Sequence, residues 1–440
     1  MERNPRNSSV SPGRWRHALA RRSPRSLSVL SLLIGGALFW CLVLWTGGFA
    51  TGDADATIYN AMMWSHGFWA CAYRSIPTTR PLGGPVYPLV SAGVQWITRA
   101  GFSGSYLTPG QMGIHCQHAY ASYQSFAGST RTSAFTWALR TGIIAWVALT
   151  LGALSLVRTT SLRGTRATWL VPLAFAVTPP VLFCVQEFYH PQDLWALAMV
   201  FVAVTWGLRG HQVTSGVFWA LAVMSQPYAL LGLVAVLVIA SWPDRRRLVV
   251  GGVVCAASVG AITWAVAGRR ALAAALVGTG DTTIHYGTWM SQLHVSAHAG
   301  LAISRGGPLV ATALLSWWVR KRCPGAGRDP AVLLGLLAAA WSLRLVFEEN
   351  LWGYYCMATG ATLVLHDIVT RKSSRPTIYW LVIVVIAFGD INATPRPWGL
   401  WPTWIWQLLI APSAFVVALH ALRSSMRTGA SVTDVLTPRT

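Results

Sequence analysis

The chain has 440 residues, of which 54% are hydrophobic and 11% charged, with 34 Lys and Arg against 13 Asp and Glu. Soluble domains carry about 25% charged residues, so this composition excludes an ordinary soluble domain. The arginines occur at the ends of apolar stretches, which argues against nucleic-acid binding despite the net charge of +21. Because apolar stretches near the roughly 20 residues that cross a bilayer recur throughout, we predict an all-α polytopic membrane protein.

Twelve apolar stretches are predicted to span the membrane. In chain order they are 27–49, 134–157, 167–186, 191–208, 213–226, 228–242, 248–267, 299–319, 330–347, 350–369, 376–390 and 403–423. The first apolar run is longer than the core of a typical signal peptide, so we expect it to be retained. The stretch 213–242 is interpreted as two short helices turning at Gln226-Pro227, because one long helix would break the alternation of loops.

The basic residues predict the orientation. The tail 1–26 is rich in arginine, and the positive-inside rule places it in the cytoplasm. Every short arginine-rich loop then falls on the cytoplasmic side, and so does the tail 424–440. We therefore predict a transmembrane domain over 27–423 in the cell (inner) membrane, with both termini cytoplasmic.

The first extracytoplasmic loop, over 50–133, is far longer than the others and contains recurring aromatic residues. The segments 54–68 and 84–100 are predicted to be amphipathic helices at the membrane surface. The Gly- and Ser-rich stretch 101–132 is typical of a flexible loop. Cys71 and Cys116 lie in this loop, where the extracytoplasmic compartment permits a disulfide.

His115 and His118 flank Cys116, but a surface role is favoured over a metal site in so polar a loop, and we predict neither metal nor cofactor. The acidic residues nevertheless concentrate at the outer face. Eight of the 13 are predicted there: Asp53, Asp55, Glu187, Asp193, Asp281, Glu348, Glu349 and Asp390. The positive-inside rule takes no account of acids, so this concentration independently indicates a polar site at that face. For Asp281 and Asp390 a solvated loop is the preferred interpretation.

Three separated patches combine polar and aromatic residues. The first is Asp55-Ala-Thr-Ile-Tyr59 followed by Gly67, Tyr73 and Val86-Tyr87-Pro88-Leu89; the second is His190-Pro191-Gln192-Asp193-Leu194 with Gly216 and Gln226-Pro227-Tyr228; the third is the stretch 344–355 with Arg344, Glu348, Asn350, Tyr354 and Tyr355. Together the patches resemble the GT-C class of membrane glycosyltransferases, and family 87 in particular. Three positions depart from the family pattern. Gln226 stands where Lys is usual, a second Pro is missing after Tyr87, and Tyr354-Tyr355 replaces a His pair.

The resemblance implies a GT-C-like bundle that transfers a sugar from a polyprenyl-phosphate donor to a cell-envelope glycolipid or lipid-linked glycan. Mannose is the preferred donor sugar, and arabinofuranose is the alternative. Such a reaction at the extracytoplasmic face needs a general base for the acceptor hydroxyl. Asp55 matches the family position for that base, and Asp53 is the second catalytic candidate, as a ligand of the acceptor hydroxyl or as a residue that tunes Asp55. Either aspartate alone could instead cap the helix predicted over 54–68.

The leaving phosphate needs cationic or hydrogen-bonding partners. Arg344 lies inside the outer end of a span, where it can bind phosphate, pair with Glu348 four residues on, or do both. For Asp193, binding and a favourable interaction with the helix dipole are equally open. The other candidate substrate-binding residues are Glu348, Asn350, Tyr354, Tyr355, His190, Gln192, Gln226, His285, Tyr59 and Tyr87.

Two other functions stay open. A transporter or flippase of lipid-linked sugars would suit twelve spans, although repeat-built transporters have matching halves and midplane polar residues. Here the long first loop has no counterpart in the second half. A non-catalytic scaffold related to the glycosyltransferases is the other alternative, which the departures at Gln226 and the Tyr pair keep open.

Overall fold

A computed structural model of the chain describes residues 24–45, 84–86, 90, 131–160, 167–186, 189–277, 289–348, 351–370, 375–388 and 403–436. Within these ranges the regular structure is entirely helical. In chain order the helices are α1 (Pro24–Trp45), α2 (Arg131–Val157), α3 (Ala167–Val177), α4 (Pro179–Gln186), α5 (Pro191–Leu208), α6 (Gln212–Ser225), α7 (Ala229–Ile239), α8 (Trp242–Val277), α9 (Trp289–Gln292), α10 (Ala297–Arg322), α11 (Pro330–Phe347), α12 (Met357–Thr370), α13 (Arg375–Phe388) and α14 (Thr403–Leu436). Short 3₁₀ turns occupy Ala326–Arg328 and Gly353–Cys356.

Each predicted span has a helical counterpart, and this confirms the all-α class. Four helical stretches are long and apolar enough to cross a membrane: Pro191–Leu208, Trp242–Ala265, Pro330–Phe347 and Gln407–Arg427. A bent pair, α3 with α4, forms a fifth candidate. The other apolar helices are shorter, so twelve crossings remain a prediction.

One predicted span is bent, and one helix is interrupted just beyond a predicted span. The predicted span 167–186 is two helices that meet at an angle of 61°. Pro179 and Pro180 follow Thr178 at the bend, and prolines cannot donate the hydrogen bonds that would continue α3. α8 is interrupted at Gly268, directly after the predicted span 248–267, and the φ of 85° there suits glycine.

Glycine lets helices α6 and α8 pack backbone to backbone. A Cβ atom added at Gly216 would lie 2.0 Å from the carbonyl oxygen of Leu248, and one added at Gly251 would lie 2.1 Å from that of Val213. Close approach of this kind stabilises membrane helix pairs through dispersion contacts. The two helices cannot keep this separation if either glycine gains a side chain.

We expect Gly216→Ala to destabilise the protein by about 1–3 kcal/mol, because the new methyl group meets backbone atoms that must move. Gly306→Ala is the matched control, since nothing lies within 4 Å of a Cβ at Gly306 on α10. Thermal unfolding in detergent measures both variants. Equal melting temperatures for Gly216→Ala and the wild type would contradict the packing of α6 on α8.

The helix termini sort into two ends of the bundle. One end is called the polar end. There the start of α7 contacts the start of α5, the end of α4 contacts the turn before α12, and the start of α14 contacts the end of α11. The last turn of α6 also lies at this end, directly before Tyr228. At the other, called the arginine end, the end of α7 lies beside Arg245 and Arg320. The start of α8 also lies next to the start of α6, since Leu248 packs against Gly216. The predicted alternation of loops across a membrane stays a prediction.

Candidate functional site

Segments far apart in the sequence meet at the polar end. The Tyr228 hydroxyl donates a hydrogen bond to the main-chain oxygen of Asp193 at 2.7 Å. The Cys184 thiol at the end of α4 lies 3.9 Å from the main-chain oxygen of Tyr354. The rings of His190 and Tyr354 stack with centroids 4.0 Å apart and planes 13° from parallel. Parts of the second and third sequence patches therefore meet in space, through His190, Asp193 and Tyr228 on one side and Arg344, Tyr354 and Tyr355 on the other.

His190 begins helix α5 after a tight turn. Its main-chain N–H donates to the Cys184 oxygen at 2.6 Å, and the preceding Tyr189 has a φ of 60°. A positive φ is costly for a bulky residue and persists only where its surroundings impose it. Tyr189 is fully buried, and its hydroxyl is paired with Thr141 of α2. The turn thus directs the His190 ring against Tyr354.

The His190 ring contacts two polar side chains of α5. Its Nδ1 lies 2.9 Å from Nε2 of Gln192 and 3.8 Å from Oδ2 of Asp193. Oε1 of Gln192 is buried and has no hydrogen-bond partner among the described residues. The site therefore contains a buried acceptor that protein groups in the described ranges leave unused.

Arg344 is held on three sides. Its Nε donates to Oε2 of Glu348 at 2.6 Å, and both side chains are about one-fifth exposed, at 23% and 20%. Its guanidinium carbon lies 4.6 Å from the Tyr355 ring centroid and 5.5 Å from that of Tyr228. The two terminal nitrogens have no hydrogen-bond partner among the described residues. A fixed guanidinium with both terminal nitrogens available matches the two oxygens of a phosphate.

Tyr355 lies in the turn between α11 and α12 and supplies a hydroxyl beside Arg344. Its phenol can donate a hydrogen bond as well as accept one.

The end of α11 is held by side chains from elsewhere in the chain. Nε2 of Gln407 donates to the main-chain oxygens of Leu345 at 3.2 Å and Glu348 at 2.9 Å. Nε1 of Trp289 donates to the oxygen of Val346 at 2.6 Å. These bonds satisfy carbonyls that a helix leaves open at its C-terminus. They fix the turn that carries Arg344 and Glu348.

Asp193 lies in the first turn of α5 and is almost fully buried. It faces the His190 ring at 3.8 Å, and its negative charge also interacts with the Arg344 guanidinium. An acid in the first turn of a helix interacts favourably with the helix dipole. The position of Asp193 is therefore compatible with both predictions, an interaction with the dipole of α5 and a part in substrate binding.

Gln226 ends helix α6 but does not join the buried cluster. Its main chain bonds to Ala222 and Ala229, while its half-buried side chain makes no hydrogen bond among the described residues. The adjacent Ser225 oxygen accepts the N–H of Gly84 at 3.0 Å. A Cβ at Gly84 would lie 1.9 Å from the Met224 oxygen, so only glycine fits there. This contact places Gly84, two residues before Val86 of the first sequence patch, beside the end of α6.

Several predicted residues lie outside the described ranges. They are the proposed base Asp55 with Asp53, the substrate-binding candidates Tyr59, Tyr87, His285 and Asn350, the acids Glu187 and Glu349, and the cysteines Cys71 and Cys116. The surface helix predicted over 54–68 lies outside them too. Within the described ranges, no group of three or more His, Cys, Asp and Glu residues is placed to hold a metal ion.

Sequence reasoning missed Gln407 and Tyr189. A lone Gln in an apolar stretch was the available signal for Gln407, because buried amides need partners.

The chain matches no protein-family model, no curated protein and no solved structure. Its fold and site define a helical protein with apolar helices suited to a membrane and a buried, charged cluster at one end of the bundle.

Proposed function

We propose that this chain is a membrane glycosyltransferase acting at the extracytoplasmic face of the cell membrane. It moves a sugar, most readily mannose, from a polyprenyl-phosphate donor to a cell-envelope glycolipid or lipid-linked glycan. The observation that carries the proposal is the state of Arg344. It is held at Nε by Glu348 and flanked by Tyr355 and Tyr228, while its terminal nitrogens have no partner among the described residues.

The proposed phosphate site combines a cation and a hydroxyl at the polar end. Arg344 supplies charge and two donors, Tyr355 supplies a hydroxyl, and the His190 ring stacks on the neighbouring Tyr354. Such donors act where charge develops, and they gain strength in a site from which water is largely excluded. The rings of Tyr228 and Tyr355 lie against the guanidinium of Arg344 and limit the access of water to it. A phosphate bound here leaves as a stabilised dianion.

The proposed reaction is a single displacement. Asp55 takes the proton of the acceptor hydroxyl, and the acceptor oxygen forms a bond to the anomeric carbon. The bond from that carbon to the phosphate oxygen breaks at the same time, and polyprenyl phosphate leaves with the electron pair. The configuration at the anomeric carbon inverts. No metal ion is required, because Arg344 and Tyr355 stabilise the leaving group.

We expect Asp55→Asn to lower the rate of sugar transfer by about 10²–10⁴-fold, which is the usual contribution of a general base. Asp53→Asn is the matched control, since it removes one carboxylate two residues away and should lower the rate far less. The assay follows label from polyprenyl-phosphate mannose into lipid products. Equal rates for Asp55→Asn and the wild type would contradict the assignment of the base.

A further inference from the structure

The arginine end contains a second cluster of cations that the proposed reaction does not use. Nη2 of Arg245 on α8 lies 3.4 Å from the main-chain oxygen of Val238, and Nη1 of Arg320 on α10 lies 3.0 Å from the same oxygen. The two donor nitrogens are therefore at most 6.4 Å apart. Two guanidinium groups from different helices converge on the C-terminus of α7.

Helix capping explains only part of this arrangement. One arginine at a helix C-terminus satisfies an open carbonyl and interacts favourably with the dipole. A second arginine on the same oxygen adds repulsion between like charges. Neither guanidinium is in an ion pair among the described residues, and Nε of Arg245 is buried without a hydrogen-bond partner there. The positive-inside rule accounts for basic residues at this end. It does not explain why two arginines approach the same oxygen, or why Nε of Arg245 is buried without a partner among the described residues.

On each of the two helices an exposed tryptophan lies beside a cation. Trp242 precedes Arg245 by three residues and its ring lies 5.8 Å from the guanidinium carbon. Trp317 precedes Lys321 by four residues and its ring centroid lies 3.8 Å from Nζ. The tryptophans are 70% and 51% exposed. Exposed tryptophans beside cations are typical of the level of lipid headgroups.

We propose that Arg245 and Arg320 form a binding site for the phosphate of an anionic bilayer phospholipid. One phosphodiester bridging the two guanidinium groups relieves their repulsion and supplies an acceptor to Nε of Arg245. Trp242 and Trp317 contact the glycerol and upper acyl region, while Lys321 lies at the rim. Basic sites between membrane helices on the cytoplasmic side bind lipid headgroups in this way. The site is independent of the proposed transferase activity.

The test is a titration of purified protein in neutral detergent with phosphatidylglycerol, with bound lipid counted by native mass spectrometry. The double variant Arg245→Gln/Arg320→Gln should weaken binding by about tenfold to thirtyfold, from roughly 1 kcal/mol for each lost cation. The matched control, Arg246→Gln/Arg247→Gln, removes the same charge from exposed neighbours. It should weaken binding less than about threefold, because its cations are not held in the site.

Two results would overturn the proposal. Equal weakening by both double variants would show diffuse attraction rather than a site. Full competition by inorganic phosphate at a concentration equal to that of the lipid would show a site for a small anion. Melting temperatures without lipid establish that each variant is folded. If the double variant is unstable, Arg320→Gln alone replaces it, because Arg320 is exposed and its loss should still weaken binding about fivefold.

Discussion

Replacing Arg344 by Lys is expected to lower sugar transfer by about 10²–10³-fold, although the positive charge is kept. Lys is a point charge on a flexible stem and cannot hold Glu348 at one edge while presenting two donors at the other. The stack with Tyr355 is also lost, since it depends on the planar guanidinium. The rate of transfer is measured at saturating and at limiting concentrations of the donor. The comparison separates weaker binding of the donor from a slower chemical step.

Glu348→Gln is the matched control for this prediction. Gln keeps an acceptor for Nε of Arg344 and therefore keeps the guanidinium in place, so transfer should fall by less than about tenfold. If the Arg344→Lys variant transfers sugar at the wild-type rate, Arg344 does not bind the leaving phosphate. If Glu348→Gln lowers the rate of sugar transfer as much as Arg344→Lys does, the negative charge of Glu348 has the main role instead.

Replacing Gln407 by Leu is expected to cost stability and activity together. It leaves the oxygens of Leu345 and Glu348 without their donor, and each buried unsatisfied carbonyl costs about 1–3 kcal/mol. The end of α11 then loosens, and Arg344 is displaced from its position between the tyrosines. Thermal unfolding and transfer rate measure the two effects on the same preparation.

Gln212 provides the control at the opposite end of the bundle. Its Nε2 donates to the main-chain oxygen of Gly207 at 3.1 Å, so it caps the end of α5 much as Gln407 caps α11. Gln212→Leu should lower the melting temperature and leave the transfer rate per folded molecule unchanged. If Gln407→Leu behaves in the same way, Gln407 stabilises the fold without positioning the site.

The positions of the helices were largely predictable from the sequence. The bounds predicted for α5 and α11 agree with the structure because each helix starts at a proline, which suits the first helical position, and continues as an apolar stretch. The bend after Thr178 was signalled by Pro179-Pro180, although the span was predicted from apolar length alone. α14 continues to Leu436, beyond the predicted span end at 423, and the next proline in the sequence is Pro438.

The polar site was only partly predictable. Position in the chain identified His190, Asp193 and Arg344 as residues at one face, and the ion pair between Arg344 and Glu348 follows from their spacing of four. The contacts of Tyr228 with Asp193 and of Gln407 with the end of α11 join helices distant in the sequence. Such contacts depend on how helices pack, which periodicity does not specify.

The most direct measurement is transfer by the purified wild-type protein reconstituted in liposomes with an envelope lipid extract. Radiolabelled polyprenyl-phosphate mannose and polyprenyl-phosphate arabinofuranose are supplied in separate reactions. The account predicts that label from one donor moves to a new lipid product. Folded protein that binds donor yet transfers neither sugar would contradict it and favour a transporter or a scaffold of lipid-linked sugars.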